Sequence, residues 1–160
     1  MTNSAYQAKN WLMRAEALED ERNRLINRIA LIESRVNNAV VHYDSSGGGH
    51  DRISSQAAHE DMLIEYSEAL DRLEKVTNRV IHEDIISINT IDRLNNTKYC
   101  TLLIARYVAR KSMKTIIEEN IFNYERSHLY KMEHKALDAL GSILNSGELR
   151  EIPQPIKAPA

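Results

Sequence analysis

The side chains best equipped for chemistry in this sequence are cationic and hydrogen-bonding groups crowded into one stretch near its C-terminal end. Arg126, Ser127, His128, Tyr130 and Lys131 carry donors that suit base edges, with Arg126 the best candidate for a bidentate contact to guanine. Arg110, Lys111, Lys114, His134 and Lys135 are the candidates for gripping phosphates. Such residues read DNA only if one helix presents them on a single side while its other side is anchored. The spacing meets that condition. Leu129, Met132, Ala136, Leu137 and Leu140 recur at three and four, which predicts a helix with one buried face and leaves the candidate residues on the other.

Two helices are expected before it. The first carries Leu102, Leu103, Ala105, Arg106, Tyr107 and Val108, with Thr97 as its expected N-cap, and it breaks at Arg110, Lys111 and Ser112. In the second, Ser112 is the expected N-cap and Met113, Ile116 and Ile117 form the buried stripe; it ends near Asn120, a residue tolerant of left-handed backbone. The third helix is expected from Asn123 or Tyr124. A short helix, a turn and a longer helix with a free polar face make up a helix-turn-helix.

The residues Leu103, Arg106, Tyr107, Ser112, Ile116, Tyr124, Tyr130 and Lys135-Ala136-Leu137 resemble region 4 of bacterial sigma factors. The form is that of small phage-encoded late-gene transcriptional regulators of the ArpU and RinA type, in which an RYV-like tripeptide, an opening Ser and a closing AL pair recur. The likeness reaches back over most of the chain. It implies promoter DNA as ligand, bacterial RNA polymerase as a neighbour and the host cytoplasm as location. The turn EENIFNYE departs from that group by about two extra residues and by having no glycine, and Glu125 stands where the group has Ser or Thr, so Asn123 is expected to cap the third helix.

Charge distribution supports this placement. The net charge of −2 looks unfavourable for a polyanion partner, yet residues 1–96 hold 11 Lys or Arg against 16 Asp or Glu, whereas residues 97–137 hold 8 against 4. The local excess of +4 coincides with the expected helix-turn-helix. Only 5 Gly and 3 Pro interrupt 160 residues, which predicts an all-α chain. Cys100 is the single cysteine, so an internal disulfide and a cysteine-based metal cage are excluded, and its apolar neighbours point to a buried small hydrophobe. No apolar run is long enough to span a bilayer, and MTNSAYQAKNW lacks the apolar core of a signal peptide.

Upstream, Ala8, Trp11, Ala15, Leu18, Arg22, Leu25, Ile29, Ile32, Val36 and Ala39 step by three and four, which predicts one helix from Ser4 to Val41 of roughly 55 Å. The Gly-rich joint at 43–52 then reverses the chain. A second stripe follows from Met62 to Ile91. The simplest arrangement is an antiparallel hairpin over residues 1–96, although a parallel dimer through the first helix or burial against a second chain fits the same periodicity. The helix-turn-helix then occupies 97–144, and the Pro-rich stretch 145–160 reads as a disordered tail.

Other chemistries find no support in the residue pattern. His42, His50, His59 and His82 have no metal-ligand spacing, and Gly47-Gly48-Gly49 follows no strand and precedes no Gly-Lys-Ser/Thr. No nucleophile stands beside a base and an orienting group, so neither an enzyme nor a cofactor or small-molecule site is expected. The bland reading of the third helix is a solvated face, and for Arg110, Lys111 and Lys114 a solvated basic turn. The rival function is a coiled-coil interaction module that binds polymerase or another regulator without touching DNA, and it gains if Glu118, Glu119, Glu125 and Glu133 neutralise the face around Arg126 and Lys131.

Overall fold

The computed structural model describes residues 1–43 and 51–146, with side chains described at 1–38 and 56–146. Most of the joint expected at 43–52 and of the tail expected at 145–160 lies outside the described residues. Every regular element described is helical. In chain order these are α1 (Asn3–Leu12), a 3-10 turn (Met13–Ala15), α2 (Glu16–Tyr43) and α3 (Asp51–Asp92). They are followed by α4 (Thr97–Leu103), which runs into a π turn (Ile104–Val108), then by α5 (Met113–Glu118) and α6 (Arg126–Asn145).

The single helix expected from Ser4 to Val41 is in fact two. The Thr2 side chain caps α1 by accepting from the Ala5 amide at 3.1 Å, and the helix gives way to 3-10 geometry at Met13. Arg14 holds the break: its guanidinium lies 3.9 Å over the Trp11 ring and donates to the Trp11 carbonyl at 2.7 Å. It also pairs with the Glu83 carboxylate at 2.7 Å. Burial lowers the Arg14 pKa, and the Glu83 and Asp84 carboxylates oppose that shift.

Two compact units result: Met1–Ala15 together with His82–Ala160, and Glu16–Ile81. The expected arm ended at residue 96; the contacts divide instead after Ala15 and again after Ile81. In the first unit, α6 contributes to two apolar clusters. Its first half supplies Leu129 and Met132 to a cluster with Leu102, Ala105, Met113 and Ile116, against which Ile117, Phe122, Tyr124 and Tyr130 pack. Its second half supplies Ala136, Leu137 and Leu140 to a cluster with Ala5, Ala8 and Leu12 of α1, Ile91 and Leu103. Adjacent residues Leu102 and Leu103 enter different clusters because helical neighbours point about 100° apart. Burying each such Leu or Ile contributes roughly 1.5–3 kcal/mol.

Small residues let α1 lie close against α6. A Cβ on Gly141 would sit 2.7 Å from the Ser4 carbonyl carbon and closer still to both Ser4 oxygens. Thr2 donates to the Asp138 carboxylate at 2.5 Å, and Asn145 donates to Gln7 at 3.2 Å. Ala8 and Trp11, expected on a seam with the second long helix, therefore serve this unit instead. Cys100 is half-buried and its thiol donates to the Ile91 carbonyl at 3.3 Å.

In the second unit, Ile29 and Ile32 of α2 and Ala69, Val76 and Val80 of α3 are buried. Glu21 pairs with Arg72 and Arg28 with Glu65, while Arg22 bonds Thr77 and Glu33 accepts from Tyr66. Partners that come later on α2 come earlier on α3.

Candidate nucleic-acid interface

The candidate site is built on α4, α5 and α6, which share the cluster around Leu102, Ile116 and Leu129. Asn96, rather than the expected Thr97, caps α4, its side chain accepting from the Tyr99 amide at 3.2 Å. At its far end α4 widens into the π turn, closed by the Ala109 amide donating to the Ile104 carbonyl at 2.8 Å. Ser112 caps α5 as expected, accepting from the Thr115 amide at 3.1 Å.

The connection from Glu119 to Glu125 differs from its sequence reading at one end. Asn120 is left-handed at φ 51°, as its type suggests, but Asn123 is also left-handed at φ 51°. Asn123 therefore turns the chain instead of capping, and α6 starts later, at Arg126, with Glu125 as an N-cap whose side chain makes no capping hydrogen bond. Two asparagines do here what a glycine would otherwise do, since a short amide side chain tolerates positive φ.

On α6 the buried residues Leu129, Met132, Ala136, Leu137 and Leu140 face inward, and Arg126, Ser127, His128, Lys131, His134 and Lys135 are exposed. Tyr130 is half-buried, with the Arg126 guanidinium 5.7 Å from its ring centroid. At 100° per residue Ser127, Lys131, His134 and Lys135 lie opposite the apolar stripe, while Arg126, the first residue of the helix, falls in line with the stripe between the directions of Leu129 and Leu137. Among the described residues Arg126, Lys131 and Lys135 form no ion pair.

The neighbouring acids are engaged elsewhere, with one exception. Glu119 pairs with Lys111 at 2.8 Å, and Glu118 with Lys114 at 3.7 Å. Glu133, which by sequence was a candidate to neutralise the outward face, is 6 % exposed. Its carboxylate accepts from the Tyr107 hydroxyl at 2.8 Å and lies 3.4 Å from Arg106 Nε, which makes no hydrogen bond of its own. Arg106 also donates to the Lys111 carbonyl at 3.1 Å. The Arg-Tyr pair of the RYV tripeptide thus grips α6 from inside. Burial first, then the Glu133 charge, pushes the Tyr107 phenol well above its ordinary pKa, so it stays a donor. Glu125 remains exposed at the start of α6.

The five phosphate candidates divide. Arg110, left-handed at φ 56°, turns back to make two contacts with Asp84, at 3.0 and 3.4 Å, and Lys111 is tied to Glu119. Lys114 is different: its side chain is 84 % exposed and its pairing with Glu118 is long. His134 and Lys135 are exposed on α6. Sequence reasoning missed Lys98 and Tyr124 at the head of the face. Lys98 donates to the Tyr124 hydroxyl at 2.6 Å, and the Tyr124 ring lies 4.4 Å from that of His128. Lys98 and Tyr124 are far apart in sequence, and no local pattern marks their meeting.

One family model matches the chain, over residues 36–141, and is described as a protein of unknown function, DUF1492. The chain belongs to that family. The matched stretch takes in α3 to most of α6, including every candidate residue, and leaves out α1. No curated protein and no solved structure matches the chain.

Proposed function

We propose that this chain is a sequence-specific DNA-binding transcriptional regulator in which α5 and α6 act as a helix-turn-helix and the outward face of α6 enters the major groove. The observation that carries the reading is that face: Lys131 and Lys135 are exposed and free of ion pairs among the described residues, on a helix anchored by two apolar clusters, and Arg126 is exposed and free of ion pairs at the start of that helix. A rigid helix with unpaired cations on one side meets the requirement for groove binding, because orientation costs no further ordering and phosphates displace only water and counterions. Lys114 and Lys135 hold the backbone, and Arg126, Ser127 and Lys131 select sequence, with His128 and Tyr130 bordering them. Arg110 and Lys111 shape the turn through their ion pairs instead of gripping phosphate.

The resemblance to sigma region 4-like phage regulators of the ArpU and RinA type supports late promoters of a phage or prophage as targets, with bacterial RNA polymerase alongside. The paired helices of the second unit, within residues 16–81, then serve protein contacts. No helix among the described residues is long and apolar enough to cross a membrane, which is compatible with action in the host cytoplasm.

Footprinting on promoter DNA of the host phage identifies the site, and titration of that site against random duplex tests the residue roles. Arg126→Ala is expected to weaken the specific site by about 1–3 kcal/mol more than random DNA, whereas Lys114→Ala weakens both alike and lowers the salt slope by about one. Equal losses for Arg126→Ala on both duplexes would remove it from base reading, and retention on heparin that salt does not weaken would favour the interaction module that never touches DNA.

A further inference from the structure

Lys98 is held by a neutral hydroxyl, whereas the cations of the π turn and α5 are held by carboxylates. Arg106, Arg110, Lys111 and Lys114 each pair with an acid, so a phosphate must compete with that acid for them. Lys98, the second residue of α4, is exposed and forms no ion pair among the described residues. Its ammonium donates to the Tyr124 hydroxyl at 2.6 Å and lies 5.2 Å from the centre of that ring. A phenol steadies the side chain without neutralising it.

The Tyr124 ring is itself fixed. It stacks on Phe122 with centroids 6.3 Å apart, lies 4.4 Å from the His128 ring, and packs on the cluster around Leu102, Ile116 and Leu129. A hydroxyl that accepts from an ammonium is polarised and keeps its own proton to donate, and the ammonium keeps two further N–H donors. Two donor atoms 2.6 Å apart can therefore serve one anionic group together. At 100° per residue His128 lies within about 20° of Lys135 and about 60° of Lys131, which puts the Lys98–Tyr124 pair at the head of the cationic face of α6. Glu125, next to Tyr124 in the chain, is exposed and makes no ion pair with Lys98 among the described residues.

We propose that Lys98 and Tyr124 form a phosphate clamp, in which the ammonium and the hydroxyl donate together to one backbone phosphate of the strand bordering the head of α6. The inference rests on the DNA-binding reading and adds to it a contact made from outside α5 and α6. A lysine loses rotamer freedom when it grips a phosphate, and here the bond to Tyr124 has already restricted it, so less is lost on binding. A duplex fits the clamp better than a lone phosphate ion does. Lys131 and Lys135 carry the positive charge onward along α6, which suits a backbone of successive phosphates and is superfluous for a single ion.

The test measures affinity of the full chain for the footprinted promoter site and for random duplex across a range of salt. Lys98→Met keeps the aliphatic stem and is expected to weaken both duplexes about three- to tenfold, lowering the slope of log K against log salt by about 0.9. Tyr124→Phe keeps the stacked ring; it should weaken both duplexes about threefold and leave the slope at the parent value. The double variant should lose less than the product of the two single losses, because both donors serve one phosphate. A methylphosphonate, which removes the charge of one linkage, should weaken the parent at the contacted position and leave Lys98→Met unaffected there, which separates the backbone from a free ion. Circular dichroism and urea midpoints accompany each variant. A Lys98→Met slope equal to that of a parent that binds DNA overturns the clamp alone and assigns the Lys98–Tyr124 bond to holding α4 against the turn. Single losses that multiply in the double variant overturn it too, and a parent that binds neither duplex overturns the DNA reading and the clamp with it.

Discussion

Tyr107 and Glu133 show how a buried polar contact is read at the scale of single residues. The glutamate could pass in sequence for a surface residue, and it stood as a possible neutraliser of the face proposed to meet DNA. Its burial follows from helical geometry: Glu133 is four residues from Leu129 and Leu137, so it falls on the packed side, where Tyr107 and Arg106 meet its carboxylate. The raised phenol pKa carries a sign that can be checked. A group whose folded pKa lies above its unfolded value stabilises fully below the unfolded value, 10.0 for tyrosine, and loses that contribution as pH rises toward the folded value. Denaturant midpoints should therefore fall between pH 9 and pH 11, and Tyr107→Phe should flatten that fall. The Glu33 carboxylate raises Tyr66 in the same direction, which is why the comparison with the variant, not the slope alone, isolates Tyr107. At pH 7 the same substitution leaves Glu133 without its hydroxyl donor and should cost about 1–3 kcal/mol.

Among elements, caps and turns were legible where a side chain acts on its own neighbours. Ser112 was readable because a hydroxyl before an apolar stripe satisfies amides that the helix leaves open, and Ser112→Ala should cost about 1 kcal/mol in urea unfolding. Asn123 was misread for a physical reason: an asparagine serves equally as a cap and as a left-handed turn residue, and the chain beyond decides between them. The partner of α1 was not legible at all. Periodicity reports which side of a helix is apolar and says nothing of what covers it, so Ala8 and Trp11 were placed against the wrong helix. Gly141 gives a test of the true contact. In open space Gly→Ala within a helix stabilises by about 1 kcal/mol, but here the new methyl meets Ser4 backbone that cannot swing away. Gly141→Ala should instead destabilise by about 1–3 kcal/mol in thermal or urea melts.

The whole molecule is divided otherwise than its sequence suggests. Composition pointed to an arm ending near residue 96 and a DNA-binding module after it, which is right about where the basic residues lie and silent about which segments complete the module's core. Ala5, Ala8, Leu12 and Ile91 belong to the cluster that holds the second half of α6, so residues 97–146 alone lack one wall. That fragment should show low helicity and broad amide spectra. A fragment of residues 82–146 should gain helicity when a peptide of residues 1–15 is added, and the gain should vanish with Leu12→Asp in the peptide.

The bond between Thr2 and Asp138 spans 136 positions, and that separation bears on the order of synthesis. Of the two segments it joins, α1 leaves the ribosome well before the helix it docks on has been translated. Until α6 has emerged, α1 has nothing to settle on, and its apolar side is open to chaperones or to a neighbouring nascent chain. Contacts so distant along the polymer are entropically late to close, which makes the seating of α1 the expected slow step of folding.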